Sequence, residues 1–239
     1  MILFCGRTNP KAEKITIYSY EEVNDIPAAI PKCPKQEVRK QLVLPAKGNQ
    51  QNRLLDYLCN KRSIDTGIVS TLIEDDKIYE DRRGNVVFVG MDGTAKVRFA
   101  SLRGTSDKQQ FRMDCIGSDK QYGFHMTYSQ SKRLYVFESP IDAMSHASIE
   151  NIITNNKCAW LRDNRLSLSG TSDKALPEYL KQNPQTKEII LCLDNDSPGR
   201  NASVAIARKY ADKGFHTRIE LPQKKDYNED LLFLKSKKC

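Results

Sequence analysis

The chain has 239 residues, of which 39% are hydrophobic and 28% are charged. This composition is typical of a globular protein, and it excludes both a largely disordered chain and an integral membrane protein. The 38 basic and 30 acidic side chains give a formal net charge of +8. A basic excess of this size suits a polyanionic partner such as nucleic acid, and it is also compatible with plain solubility.

Seven cysteines are scattered along the chain without a C-x-x-C pair. Neither a structural zinc site nor a disulfide framework is therefore expected, and an odd number of thiols suits a reducing compartment. The first residues lack a basic segment followed by an apolar one, and no later apolar run approaches about 18 residues. The sequence thus predicts a cytoplasmic protein without a membrane partner.

Residues 1–50 are predicted to form an N-terminal arm or linker. A short strand is predicted at 15–20. Three prolines between residues 27 and 34 prevent a regular helix there and favour an extended connection.

Residues 51–130 are predicted to form a smaller, basic α+β domain. Leucines and isoleucines at helical spacing predict two short helices, around 54–58 and 64–73. The second helix has Asp65 or Thr66 as its expected N-cap. Two β-rich runs then flank an Asp-Gly turn signal at residues 92 and 93, so they predict an antiparallel sheet.

Positive charge is concentrated between residues 96 and 133, where eight basic side chains accompany three acidic ones. Basic side chains interleaved with aromatic rings can follow a phosphate backbone and stack on bases. The alternative is that the aromatic rings belong to the core and the charges to a solvated face. Arg103 and Lys120 lie beside Gly- and Ser-containing turns, which are suited to anion contacts. The basic residues are Lys96, Arg98, Arg103, Lys108, Arg112, Lys120, Lys132 and Arg133, and the aromatic ones are Phe99, Phe111, Tyr122 and Phe124.

An apolar run at 134–137 reads as a strand that ends in a carboxylate, Glu138. The Ser-Pro pair that follows is a favourable helix start, with serine as the N-cap and proline in the first turn. Asp142 lies in that first turn. The order is therefore strand, acid, Ser-Pro, helix.

The same order recurs after the apolar run 189–193, which ends in Asp194 and Asp196. A run of this kind predicts a strand buried on both faces, as in a parallel sheet. A second Ser-Pro then begins a helix, for which Ser197 is the predicted N-cap and Gly214 the predicted end.

Parallel pairing of these two strands would bring Glu138, Asp194 and Asp196 together at the carboxyl edge of one sheet. Ligands bind at that edge in open α/β folds. Carboxylates this close repel each other unless a cation lies between them, and oxygen ligands suit Mg²⁺. For the aspartate pair alone, the alternative is a pair of solvated loop acids that favour the helix N-terminus. The three acids together predict a divalent-cation site.

The remaining elements alternate between strands and helices, which predicts a compact α/β domain with right-handed crossovers. Asp226 precedes the last helix, for which Asn228 is the predicted N-cap. The other predicted elements are strands at 158–161, 166–168 and 217–221 and a helix at 172–183.

These motifs resemble the Toprim domain of bacterial primases, topoisomerases and certain nucleases, and they are most similar to the primase type. VFESPIDAMS resembles the strand, glutamate and following helix, and LSLSGTSD resembles the intervening glycine turn. CLDNDSPGRNA resembles the D-x-D-x-x-Gly-Arg motif, and KKDYNEDL resembles the last acidic turn. The resemblance covers residues 134–234. It implies a Rossmann-like parallel sheet with flanking helices over residues 131–239.

Residues 50–130 resemble the uncharacterised domain that precedes Toprim in proteins of plasmids and integrative conjugative elements. The matching pieces are DYLCNKRSID, VFVGMDG, ASLRGT and GSDKQYGF. The resemblance implies a protein of a mobile genetic element. Such relatives often begin with a cysteine-rich zinc-binding module, which we expect to be missing from this chain.

Carried over residue by residue, the resemblance makes Glu138 a metal ligand or a general acid or base. Asp194 and Asp196 would hold Mg²⁺, or Mn²⁺ in its place, and Asp226 would assist them. This chain departs from the primase pattern at Asn228, where primases usually have a second aspartate. An amide offers one oxygen ligand, which weakens the case for a second tightly held cation.

The resemblance implies Mg²⁺-dependent phosphoryl transfer on DNA, as in primer synthesis by a nucleotidyltransferase. Arg103, Lys120 and Arg200 would bind phosphate and neutralise developing charge, and Asp142 would have a supporting role beside Asn228. One alternative is a Toprim nuclease that uses the same acids. Another is a non-catalytic nucleic-acid-binding accessory of a conjugation or replication complex. The expected partners are single-stranded DNA, nucleotides and other replication or conjugation proteins.

Overall fold

The computed structural model describes residues 40–106 and 111–237. These residues belong to one compact unit that begins at Lys40. The strand predicted at 15–20, most of the predicted arm and Lys108 lie outside the described residues. No helix in the described part is long and apolar enough to cross a membrane.

Two helices open the described fold, as the leucine and isoleucine spacing predicts. Helix α1, Asn52–Leu55, continues as a π-helical segment, Asp56–Lys61, and helix α2 spans Thr66–Glu74. The side chain of Asp65 caps α2, because it accepts a hydrogen bond from the N–H of Gly67 at 2.8 Å. Of the two predicted caps, Asp65 is therefore the one used.

A four-stranded antiparallel sheet follows, in the order β1-β2-β3-β4. The hairpin between β2 and β3 turns at Asp92, whose carboxylate accepts from the N–H groups of Thr94 and Lys96. The predicted Asp-Gly hairpin is thus confirmed. The strands are β1 Ile78–Glu80, β2 Val86–Met91, β3 Val97–Arg103 and β4 Arg112–Asp114.

A five-stranded sheet forms the second half of the fold, in the order β5-β7-β6-β8-β9. The edge strand β5 is antiparallel to β7, and every other pairing in this sheet is parallel. The predicted fold class, an α/β half preceded by a smaller α+β region, is confirmed. The strands are β5 His125–Met126, β6 Arg133–Phe137, β7 Asn164–Ser167, β8 Glu188–Leu191 and β9 His216–Ile219.

Helices connect the strands of this sheet and cover its faces. They are α3 Pro140–Thr154, α4 Leu176–Gln182, α5 Ser197–Ala211 and α6 Tyr227–Ser236, and a 3₁₀ turn, Asp173–Ala175, precedes α4. The strand predicted at 158–161 is wrong, because this segment forms a 3₁₀ turn, Ala159–Leu161. Its apolar character serves a different purpose. Trp160 is buried and packs edge-on against the Tyr128 ring.

Two predicted helix caps are also wrong. Asp196, and not Ser197, is the N-cap of α5, and Asp226, and not Asn228, is the N-cap of α6. Each aspartate has extended backbone angles and accepts from the N–H three residues further on, at 2.9 and 2.8 Å. Aspartate, serine and asparagine are all good N-caps, so the sequence does not decide among neighbouring candidates.

One apolar core joins the two halves of the fold. Leu58 and Ile68 of the first two helices belong to the same buried cluster as Phe137 and Ile190 of the five-stranded sheet. A second cluster, which includes Leu134, covers the opposite face of that sheet. Because the first cluster is shared, the helices of the first half are packed firmly against the five-stranded sheet.

Candidate active site

Glu138 and Asp194 meet at the carboxyl edge of the five-stranded sheet. Strands β6 and β8 are parallel neighbours, with Val136 opposite Leu191, so the residues that follow the two strands come out side by side. The N–H of Asp194 donates to Oε1 of Glu138 at 3.3 Å. The structure therefore brings together the two strand-end acids that the sequence places in one motif each.

Three helices begin at this same edge, and each carries an acid in its first turn or at its cap. Asp142, in the first turn of α3, accepts from the N–H of Asn228 at 3.3 Å. Asp196 caps α5, and Asp226 caps α6. Helix N-termini favour negative charge, so the fold offers partial compensation for a concentration of carboxylates.

Gly199 makes the close approach of α5 to the strand ends possible. A Cβ atom at this position would lie 2.2 Å from the carbonyl oxygen of Asp194 and 2.7 Å from Oε1 of Glu138. No side chain fits at these distances. The glycine of the D-x-D-x-x-Gly-Arg motif is thus explained by packing against the site.

Three carboxylates of the edge, those of Glu138, Asp142 and Asp194, have a raised pKa and therefore hold protons more tightly than isolated acids do. Burial raises the pKa of Asp194 to about 7, and repulsion from Asp142 and Glu138 adds to the effect. Burial also raises the pKa of Asp142 to about 6, with repulsion from Asp226 as the next cause. The pKa of Glu138 is raised as well, mainly by burial. Burial and mutual repulsion thus disfavour the ionised forms of these acids, and a bound cation would offset both effects.

The donor set at this edge fits a hard divalent cation. Glu138, Asp194, Asp196 and Asp226 would offer oxygen ligands of the kind that Mg²⁺ prefers. Asp196 and Asp226 each use one oxygen for helix capping and keep the other. The four acids are not a preformed cage. In the part of the chain that the structure describes, the group whose ligand atoms all lie within 4.8 Å of one another is a different one.

That other group consists of His146, Cys192 and Glu220. Its nitrogen, sulfur and oxygen atoms could hold a metal ion, but its surroundings suit an ion poorly. The Nε of Arg165 donates to Nδ1 of His146 at 3.2 Å, which leaves Nε2 to carry the proton of a neutral imidazole. Burial also raises the pKa of Cys192 to about 12, so the thiolate form is disfavoured.

A cleft of about 860 Å³ lies over the acidic edge, and basic side chains also line it. Arg103 and Lys120 both line it, as the prediction of an anion-binding role requires. They differ in availability, because Lys120 forms an ion pair with Asp114 at 2.9 Å. The acids that line the cleft are Asp114, Glu138, Asp142, Asp194, Asp196 and Asp226, and the other basic residues are Arg62, Arg112 and Lys225.

Several basic cleft residues had no place in the sequence-based site. Arg112 and Lys225 both act on Glu138, since their positive charges lower its pKa. Tyr57 was missed because it lies in a helical segment that the sequence predicts as core. Arg62 was missed because a basic residue directly after a helix is common, and its contact with Asn228, 166 residues away, has no local signal.

The other basic and aromatic residues that the sequence suggested for the site have different surroundings. Arg200 lies outside the residues that line the cleft, and its guanidinium donates to Oδ1 of Asn195 at 3.1 Å. Phe99 and Phe124 are fully buried, so the core alternative applies to them. Phe111 lines the cleft, and the guanidinium of Arg98 lies 4.9 Å from the ring centre of the half-buried Tyr122.

Comparison with known protein families matches both halves of the described fold. Residues 135–231 match the family described as Toprim-like, and residues 56–131 match a family described as a protein of unknown function, DUF3991. The chain is also 26% identical over 161 residues to the uncharacterized protein pXO2-78 of Bacillus anthracis. That alignment covers 62% of this chain and 45% of the relative, so it spans less than half the length of that protein.

Several solved primase structures share the fold at low sequence identity. The DnaG catalytic core has a TM-score of 0.53 at 15% identity, with 79% of this chain and 70% of that chain covered. Primase domains of bacteriophage T7, bound to an RNA/DNA hybrid and dTTP, have a TM-score of 0.52 at 19% identity, with coverage of 74% and 85%. The Aquifex aeolicus primase has a TM-score of 0.51 at 16% identity, with coverage of 78% and 55%.

The family matches confirm the resemblance that the motifs suggest, in the same domain order. The acidic edge lies within the residues that match the Toprim-like family, and β3, with Arg103, lies within those that match the domain of unknown function. The chain therefore carries a region that matches the DUF3991 family, followed by one that matches the Toprim-like family, on a fold shared with DnaG-type primase catalytic cores.

Proposed function

We propose that this protein is a primase-like enzyme that uses Mg²⁺ to transfer phosphoryl groups on DNA, as in primer synthesis. The observation that carries the proposal is the cleft itself. Five carboxylates of the Toprim-like half line it together with arginines of the preceding half. A phosphate bound in this cleft would have both cations and a metal-binding edge within the same site.

Glu138, Asp194 and Asp196 would hold the cation, with Asp226 in support. Bound there, Mg²⁺ would polarise the phosphate and help to activate the attacking oxygen. The chain contributes orientation and charge. The backbone of Asp194 holds the Glu138 carboxylate through the 3.3 Å hydrogen bond, and Arg103 offers a guanidinium to developing negative charge.

Single-stranded DNA and nucleotides are the proposed ligands. The net charge of +8 and the basic residues that line the cleft favour a polyanion. The T7 primase domains that share the fold were solved with an RNA/DNA hybrid and dTTP. A role in a conjugative or other mobile element, with further replication or conjugation proteins as partners, completes the proposal and rests on the resemblance of residues 50–130.

The test is incubation of the protein with Mg²⁺, a single-stranded DNA template and nucleotides, with Asp194→Ala/Asp196→Ala as the control. We expect short products that depend on template and metal and that are lost in the control. Loss of template without synthesis would replace primer synthesis by the nuclease alternative. Salt-sensitive DNA binding that survives in the control, without turnover under Mg²⁺ or Mn²⁺, would replace both by the accessory role.

A further inference from the structure

Two arginine side chains that line the cleft donate hydrogen bonds to the same buried hydroxyl group. Nε and Nη2 of Arg62 donate to Oη of Tyr57 at 3.0 and 2.8 Å. Nε of Arg103 donates to the same oxygen at 2.9 Å. Tyr57 is only 6% exposed and belongs to the core, so its phenol oxygen has a fixed position. Two guanidinium groups are therefore held side by side, and both line the cleft.

The charges of these two arginines are not neutralised by their hydrogen-bond partners. Arg62 donates to a phenol and to an amide oxygen, and Arg103 donates to the phenol. Lys120 and Arg98, by contrast, are paired with carboxylates, those of Asp114 and Asp92. Two like charges that are held together without a carboxylate partner among the described residues favour an anion from outside.

Asn228 orients Arg62 from the Toprim-like domain, 166 residues further along the chain. Its Oδ1 accepts from Nη1 of Arg62 at 3.1 Å, while its Nδ2 donates to the carbonyl of Arg62 at 2.8 Å and to Ser145 at 3.0 Å. Asn228 is 2% exposed, so this amide is fully committed to these contacts. An aspartate here would lose both donated hydrogen bonds and would pair with the guanidinium.

We infer that Arg62 and Arg103, joined by Tyr57 and oriented by Asn228, form a phosphate-binding subsite in the cleft that the acidic edge also lines. The inference rests on the proposed function and adds the subsite to it. Because the Asn228 amide is hydrogen-bonded to Arg62 and Ser145, it holds a guanidinium group in place and is not available as a metal ligand. Two adjacent guanidinium groups match the oxygens of a phosphate by paired hydrogen bonds. The phosphate belongs either to a nucleoside triphosphate or to the backbone of single-stranded DNA.

Binding measured in EDTA tests the subsite separately from turnover. ATP is titrated calorimetrically, and a labelled oligothymidine is titrated by fluorescence anisotropy over a range of salt concentrations. We expect Arg62→Gln and Arg103→Gln each to raise the dissociation constant of at least one of the two ligands by about tenfold. The exposed Arg208 lies on α5 outside the cleft, and Arg208→Gln removes the same charge as a matched control.

The two titrations identify the source of the phosphate. If only ATP binding is weakened, the subsite belongs to the nucleotide. If only oligonucleotide binding is weakened, the subsite belongs to the DNA backbone, and the salt slope, which is the slope of the logarithm of the binding constant against the logarithm of the salt concentration, should fall in magnitude by about one. Weakening of both assigns it to a position that either phosphate can occupy. Unchanged binding of both ligands in folded Arg62→Gln and Arg103→Gln proteins overturns the inference, even if primer synthesis is observed.

The positioning role of Asn228 has its own readout. Asn228→Asp should lower the affinity for the same ligand about as much as Arg62→Gln does, because the new carboxylate neutralises the guanidinium. It should also reduce the salt slope in the same way. Tyr57→Phe keeps the ring but removes the shared acceptor, so it should weaken binding less. Thermal melting of each variant shows that it is folded. Wild-type affinity in a folded Asn228→Asp protein would contradict the positioning role.

Discussion

Gly199 lies against Glu138 so closely that a methyl group at this position would come within 2.7 Å of the carboxylate oxygen. The same methyl group would lie 2.2 Å from the backbone oxygen of Asp194, which cannot move away without shifting the end of β8. The first helical turn of α5 and the acidic edge are therefore packed as one unit. A residue without chemistry of its own thus determines the geometry of the acids.

Gly199→Ala should therefore lower the free energy of unfolding by about 1–3 kcal/mol, as overpacking does in other well-packed sites. It should also weaken the response of the melting temperature to Mg²⁺, because Glu138 must move. Differential scanning fluorimetry with and without Mg²⁺ measures both effects. Gly93→Ala is the matched control, since its methyl group would be 3.8 Å from the nearest atoms of Gln182. Equal melting temperatures for the two variants would contradict the packing explanation.

Asp194→Asn should raise the melting temperature in EDTA at pH 8. Burial and then repulsion from other carboxylates disfavour the ionised carboxylate, as the raised pKa of about 7 indicates, and the neutral amide avoids both penalties. An increase of about 2–4 °C corresponds to about 1 kcal/mol in a chain of this size. The same variant should lose most of the stabilisation by Mg²⁺. Glu74→Gln removes one negative charge at an exposed position and should do neither.

Lys120→Gln should weaken binding of single-stranded DNA less than Arg103→Gln does. Both side chains line the cleft, but the Asp114 carboxylate lies 2.9 Å from the Lys120 ammonium and offsets its charge. The comparison is an anisotropy titration of both variants under the same salt conditions. A larger loss for Lys120→Gln would show that the ion pair opens when the ligand binds.

His125 should make the fold less stable in mild acid. Burial, together with the positive charge of Lys77, lowers its pKa to about 4, whereas an unfolded histidine has a pKa of about 6.5. Between these values the unfolded chain binds more protons, so stability falls as the pH falls from about 6.5 to 4.

Urea denaturation of wild type and His125→Gln at pH 7 and pH 5 measures this effect. The neighbours of the imidazole, Thr127 and Tyr179, are present in both proteins. Wild type should lose up to about 2 kcal/mol more than the variant between the two pH values. An equal loss in both proteins would assign the acid sensitivity to other groups.

Much of the site could be predicted from the sequence because its acids follow local rules. Apolar runs that end in Glu138 and Asp194, each followed by Ser-Pro, specify a strand and a helix start within a dozen residues. Parallel pairing of two such strands then places both acids on one edge. The prediction needed no knowledge of distant contacts, apart from the pairing of the strands.

Local rules were insufficient where neighbouring residues have equal propensities. Asp196 and Ser197 are both good N-caps, and so are Asp226 and Asn228. In both cases the structure has the aspartate as the cap, with its carboxylate accepting from the N–H three residues further on. Asn228 is consequently released from the cap and becomes the buried partner of Arg62.

The sequence by itself determined the strands, the helix starts and the acids at their junctions, since these depend on residues within one or two turns of each other. Only the tertiary structure decided which cations face those acids. Arg62 reaches Asn228 across 166 residues, and Arg103 meets Tyr57 across 46, because the shared apolar core packs the first two helices against the five-stranded sheet. Contacts of that kind follow from how the whole chain buries its apolar surface, and no local pattern encodes them.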